Sequence, residues 1–184
     1  MLANILLVPL CFVGTDDTIA LKEIGVSLPS SVGAIKYKSR QAFERKDLGY
    51  SVGYANKMCT ISLIVYDHGQ KKIPNGKADP LVDDQMKRSI ADVEAAQAKG
   101  YYKNVQRMKE DLPLPKAIKE AFATAGFTFD VKGGACKSYI LLLGRNNHFF
   151  KVRVIQYVVD NQTNDEELAV FLDELAKAIS APAP

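Results

Sequence analysis

The chain has 184 residues, 47% of them hydrophobic and 24% charged, which is ordinary for one folded domain with a sizeable core. A net charge of +3 is too mild for a nucleic-acid binder, whose phosphate contacts need concentrated Lys and Arg. No apolar stretch reaches the roughly 20 residues that a bilayer-spanning helix requires, so no integral membrane span is expected.

Residues 5–13 form an apolar run broken only by Pro9. Its length suits the core of a secretory signal, and Thr18-Ile19-Ala20 is a tolerable small-x-small cleavage site. Residues 1–20 are therefore read as a signal-like segment, 21–180 as one domain and 181–184 as a tail, with a periplasmic or secreted location. The alternative is a buried element of a cytoplasmic protein, because no Lys or Arg precedes the run and Asp16-Asp17 sit close to the proposed cut. Cys11 lacks the small residue that precedes a lipid-modified cysteine.

Beyond this segment Ile24, Val26 and Leu28 alternate up to Pro29, predicting a first strand, and residues 34–38 predict a second, with continuation through Phe43 as an option. Tyr50-Val52-Tyr54 and Cys59-Ile61-Leu63-Val65 recur at every second position around the polar turn Ala55-Asn56-Lys57, a hairpin of half-buried strands. Asp79 predicts a helix N-cap with Pro80 at the first helical position. Val82, Met86, Ile90, Val93 and Gln97 then make a stripe that packs on a sheet, while Asp83, Lys87, Asp92 and Glu94 face water. Gly100 ends this helix or is tolerated within it, since Tyr101, Val105 and Met108 continue the spacing. Residues 112–115, Leu-Pro-Leu-Pro, stop it.

Residues 118–125 read as a short helix or irregular strand, and Phe127, Phe129 and Val131 as a strand. Residues 139–143 are continuously apolar, as in a central strand buried on both faces. After a turn at 144–148, Phe150, Val152 and Val154 point inward and Lys151 and Arg153 outward. Asn164 with Glu167 resembles a capping box, and Leu168, Phe171, Leu172, Leu175 and Ile179 make a final amphipathic helix. Strands joined by short turns argue for an α+β fold: a mostly antiparallel central sheet with helices packed on it.

The block at residues 48–76, the Lys137-Ser138-Tyr139 strand, and Phe150-Lys151-Val152-Arg153 before the last helix carry a resemblance. They look like an uncharacterised family of bacterial exported proteins sharing an "LGYSV.Y … VYD.G … IP.G" pattern. The order of elements is similar to the PsbP-like fold, named for an extrinsic photosystem subunit. The resemblance implies a non-enzymatic envelope or secreted accessory protein that binds an envelope protein or a small ligand. It supplies no catalytic residues.

Cys59 and Cys136 each open a predicted strand. In an oxidising compartment they are candidates for a disulfide, worth about 4 kcal/mol in the chain-entropy model, provided their Cα atoms lie within about 7 Å. The alternative is two separate thiols. An enzyme reading would be a small hydrolase pairing Cys136 with His68 or His148, or using scattered carboxylates; another alternative is a cytosolic adaptor. No HExxH, CxxC, GxSxG or Rossmann fingerprint is present, and no cofactor or metal is expected. Residues 132–138 lack phosphate-loop spacing and read as a hairpin turn. Asp83-Asp84 and residues 165–167 occupy first helical turns, where the dipole favours negative charge. The loop surface singled out for binding combines Tyr66, Asp67, His68, Lys71 and Lys72 with Arg145 and His148, polar loop residues of the kind that recognise ligands.

Overall fold

Period-two alternation in the strands and 3.6-residue spacing in the helices give a sheet with two unlike faces. The computed structural model describes residues 17–109, 112–160 and 162–181. The apolar run at 5–13, Cys11 and most of the tail lie outside the described residues. A small hairpin of β1 (Thr18–Leu21) and β2 (Val26–Pro29) turns through a 3-10 helix at Lys22–Ile24. The folded unit thus begins a few residues upstream of the boundary expected at residue 21, and Ile24 sits in the turn rather than in a strand.

Next come β3 (Ser31–Val32), β4 (Ile35–Ala42), β5 (Tyr50–Ala55) and β6 (Cys59–Tyr66). After α1 (Pro80–Ala98) follow β7 (Lys103–Arg107), α2 (Lys116–Ala121), β8 (Ala123–Val131), β9 (Gly134–Arg145), β10 (His148–Tyr157) and α3 (Asp165–Ser180). The eight strands from β3 on form one antiparallel sheet in the order β3-β4-β5-β6-β10-β9-β8-β7. The sheet is two meanders joined along their last strands, β6 and β10. The α+β class expected from the sequence holds.

One face carries Val52, Tyr54, Ile61, Leu63, Tyr139, Leu141, Val152 and Val154, covered by α2, α3 and the β1–β2 hairpin. Phe171 of α3 meets Tyr54 edge-on, ring centroids 5.2 Å apart. On the other face Val82, Met86 and Val93 of α1 pack on Phe127, Phe129, Ile140 and Leu142. The central strand β9 is buried on both sides, as its unbroken apolar run predicts. α1 lies mainly over the β7–β9 part of this face and reaches β6 at Tyr66, so among the described residues the second face of β4 and β5 is left open.

Asp79 caps α1 as expected, its carboxylate accepting from Leu81 N at 2.9 Å. Gly100, with φ of +77°, ends the helix; Tyr101 and Tyr102 N donate back to Ala96 O, and of the residues that prolong the helical spacing Val105 enters the edge strand β7 while Tyr101 and Met108 flank it. The short-helix option at 116–121 is the one adopted. At α3 the capping box does not form. Asn164 makes no side-chain bond to the backbone there, and its amide instead donates to Glu167 Oε2 at 2.6 Å.

The turn into β10 is Asn146-Asn147, both at positive φ, the geometry that matches strand twist in a two-residue hairpin. Beside it Gly144 exchanges backbone hydrogen bonds with Gly76, at 2.8 and 2.9 Å, so the loop after β6 lies flat against β9. A Cβ on Gly144 would stand 2.0 Å from Pro74 O, and backbone cannot yield as a side-chain tip does. Gly144→Ala is therefore expected to destabilise the protein by about 1–3 kcal/mol, read as a lower midpoint in urea unfolding; an unchanged midpoint would show that the loop is not held there.

Candidate functional site

The expected binding surface lies at one end of the sheet, because Tyr66 at the end of β6 pairs with Phe149 of β10. It does not form one site. Arg145 and His148 share the parity of Leu143 and Phe150, and so belong to the α3 face. Tyr66 belongs to the α1 face, and His68 stacks edge-on against it at 5.0 Å.

Arg145 is a fastener, with its guanidinium donating to Ile24 O at 2.7 Å, to Ile179 O, and to Ala181 O at 3.1 Å. It thereby ties the C-terminal end of α3 to the β1–β2 connection. His148 Nδ1 lies 2.8 Å from Asn146 O. Asp67 accepts from Gly69 N at 2.7 Å within its own turn, and Lys71 and Lys72 are exposed. Of the expected set, Tyr66 and His68 alone line a cleft that contains further charged side chains.

That cleft runs between α1 and the uncovered half of the sheet in two adjoining hollows. One, about 230 Å³, is lined by Phe43, Leu48, Ile64, Tyr66, His68, Asp92 and Lys151. The other, about 190 Å³, is lined by Ile64, Ser89, Asp92, Tyr102, Ile140, Lys151, Arg153 and Ile155. Lys151 and Arg153 rise from β10, two positions apart on one face. Beyond them the floor is low. The row from Arg153 runs through Ser62, Gly53 and Ser39, and the row from Lys151 through Ile64, Ser51 and Gln41.

Both cations are half-buried. Burial pushes each below its ordinary pKa, against the pull of Asp92 and, for Arg153, of Tyr102. Lys151 Nζ lies 5.5 Å from the centroid of the Tyr66 ring, a cation–π contact. Among the described residues neither cation has a carboxylate within 4 Å. Arg153 Nη2 is buried with no hydrogen-bond partner. Tyr66 is held protonated by burial, with Asp92 adding to the shift. Its hydroxyl is 3.5 Å from Gln85 Oε1, and its ring packs on Phe149.

A larger depression, about 550 Å³, lies at the opposite end of the sheet beside the β5–β6 turn. Its amides and its carboxylate already bond one another, while Lys38 and Lys57 at its rim are exposed. Glu167 Oε2 accepts from Asn56 and Asn164, and Asn56 Oδ1 accepts from Met58 N and Cys59 N. This arrangement pins α3 to the hairpin.

Of the two states open to Cys59 and Cys136, a disulfide or separate thiols, the structure has the second; both thiols are free and buried. Cys59 lies opposite Gln156, which lies opposite Lys137, so the two cysteines are about two strand spacings apart, roughly 10 Å. They also belong to opposite cores. Cys136 likewise has no histidine. It pairs with Tyr157, while His148 opens the other end of that ten-residue strand, roughly 30 Å away, and His68 lies at the His148 end. The cysteine–histidine hydrolase is thus excluded by strand length. Burial raises the Cys59 thiol to about 12 and that of Cys136 by less. Among the described residues no cluster of three or more His, Cys, Asp or Glu is placed to hold a metal.

The sequence reading placed Lys151 and Arg153 on the water side of their strand and so missed them. The available signal was their position: two cations alternating on the partner of a fully apolar strand.

Two outcomes follow. Arg145→Ala removes three bonds from a charged donor and is expected to lower stability by about 2–3 kcal/mol, measured by thermal or urea unfolding; no change would mean that the clamp carries no load. Non-reducing peptide mapping of protein matured in an oxidising compartment is expected to recover Cys59 and Cys136 as separate thiols, and a crosslinked peptide would overturn the strand register. In comparison with known proteins, no family model, curated protein or solved structure matches the chain.

Proposed function

We propose that this protein is an exported accessory domain of the PsbP-like kind that works by binding, and that its ligand or envelope partner is held in the cleft between α1 and the uncovered half-sheet. The observation that carries this reading is Arg153. A buried guanidinium nitrogen without an acceptor, beside a second desolvated cation on the same strand, loses hydration that Tyr102 and Asp92 compensate only in part. An occupant that supplied the acceptor would reverse that loss. Beside the hollows the row from Arg153 continues through Ser62, Gly53 and Ser39, which present no side chain larger than serine.

Export is supported by the signal-like run and by the resemblance to exported proteins. Asp17 O accepts from Ser30 N at 2.7 Å, and Ala20 O accepts from Arg40. Cleavage after Ala20 would remove most of β1, so processing upstream of Asp17 is the form compatible with the fold.

The test is native mass spectrometry of the protein isolated without denaturation from the envelope fraction of its host, beside a K151Q/R153Q variant of matched secondary structure. A mature N-terminus at or before Asp17 and an adduct carried by the native protein alone are expected. Equal adducts on both forms, or none on either, would sink the cleft as the binding site, and full-length protein found only in the cytosol would sink export.

A further inference from the structure

The cleft grades from cationic to apolar, and the gradient specifies an occupant. Its inner hollow has Lys151, Arg153 and Tyr102 around a single carboxylate, Asp92. Its outer hollow shares Lys151 and Asp92, adds His68, and is otherwise walled by Phe43, Leu48, Ile64 and Tyr66. Phe43, just past the end of β4, is 37% exposed. We propose that the cleft binds an amphiphilic monocarboxylate, with the carboxylate on Lys151 and Arg153 and the apolar tail lying along Phe43, Leu48 and Ile64 toward Tyr66. This rests on the cleft being the binding site, and adds what it selects.

Three arguments converge on that class. Two cations against one carboxylate leave one positive charge uncompensated, which a monoanion neutralises and a dianion overshoots. The guanidinium fork matches the two oxygens of a carboxylate, and its buried Nη2 has no other acceptor. The apolar wall begins next to the cations, because Ile64 lines both hollows and stands directly opposite Lys151 in the ladder. A headgroup on β10 therefore delivers its tail onto that wall with no gap to cross. A bare oxyanion would leave the wall uncovered, and a neutral amphiphile would bury both cations further without neutralising them.

The experiment is an amide NMR titration of the full chain with octanoate, octanol, octyltrimethylammonium and inorganic phosphate, each below its aggregation threshold. Octanoate is expected to shift the amides of Ile64, Tyr66, Lys151 and Arg153 and to bind about tenfold or more tighter than octanol, the equivalent of roughly 1.4 kcal/mol. Lys151→Gln and Arg153→Gln should each weaken octanoate about tenfold while leaving octanol unchanged, and Leu48→Ser should weaken both. Far-ultraviolet circular dichroism and the melting temperature identify any variant that fails to fold, and Asp92→Asn gives a second reading that does not depend on losing function, since removing the competing carboxylate should tighten octanoate.

Octanol or the ammonium amphiphile binding as well as octanoate would overturn the carboxylate assignment while leaving the cleft as a binding site. Phosphate binding as tightly as octanoate would overturn the tail. Affinity unmoved by Lys151→Gln, Arg153→Gln and Asp92→Asn would overturn the headgroup position. No groove resonance shifting with any probe would defeat the binding-site reading itself.

Discussion

The pairing of β6 with β10 is the constraint on which the molecule depends. Eight residues of each strand run in unbroken register, from Cys59 opposite Gln156 to Tyr66 opposite Phe149. The two meanders are each assembled from hairpins of short range, but this seam closes a loop of about ninety residues, and loop closure of that length is entropically expensive. The compensation comes from both faces at once. Ile61, Leu63 and Val65 meet Val152 and Val154 in the core beneath α3, and Tyr66 meets Phe149 in the core beneath α1. Slipping the register by one residue would turn both sets to the wrong side.

The seam also makes the cleft. It moves β10 to the middle of the sheet, so that its second face is roofed by α1 on one flank and left uncovered on the other. A lysine and an arginine that would be solvated on an edge strand are consequently half-buried on a central one. Their desolvation is a liability in the unoccupied protein, and their positions follow from strand order alone. The loop after β6 is pressed onto Gly144 before the chain enters α1. Arg145 on the next residue closes the opposite face by gripping α3.

The legible part of the fold was the part written locally. The β5–β6 hairpin, the Asp79-Pro80 helix start, the buried run of β9 and the apolar stripe of α3 each declare themselves within a dozen residues. What the sequence could not display was the order of strands. The distance between Cys59 and Cys136, the separation of Cys136 from both histidines, and the enclosure of Lys151 and Arg153 all depend on β10 lying between β6 and β9. A period of two marks which residues share a face, but assigns no cover to either face. That is why Arg153 read as outward and Arg145 as a binding residue, when the first lines a cleft and the second is occupied by three carbonyls. Gly100 shows the converse: the spacing of Tyr101, Val105 and Met108 was real, but a residue in the left-handed region overrode it.

The two faces of the sheet therefore divide the work. The α3 face is sealed by aromatic packing, by the Arg145 clamp, and by the Asn56–Glu167–Asn164 fastening at its other end. With that face closed at both ends, stability does not require the second face to be fully covered. α1 needs only to shield β8 and β9, whose Phe127, Phe129, Ile140 and Leu142 would otherwise meet water. The remaining half can keep small polar residues and two desolvated cations, groups that would be disfavoured in a minimal core. Replacing the cations by apolar residues of similar size would be neutral or favourable for folding by that reasoning, so packing does not account for their presence. The function proposed for the cleft would supply the missing term: a bound anion would convert an unfavourable pair of charges into the recognition element of the site.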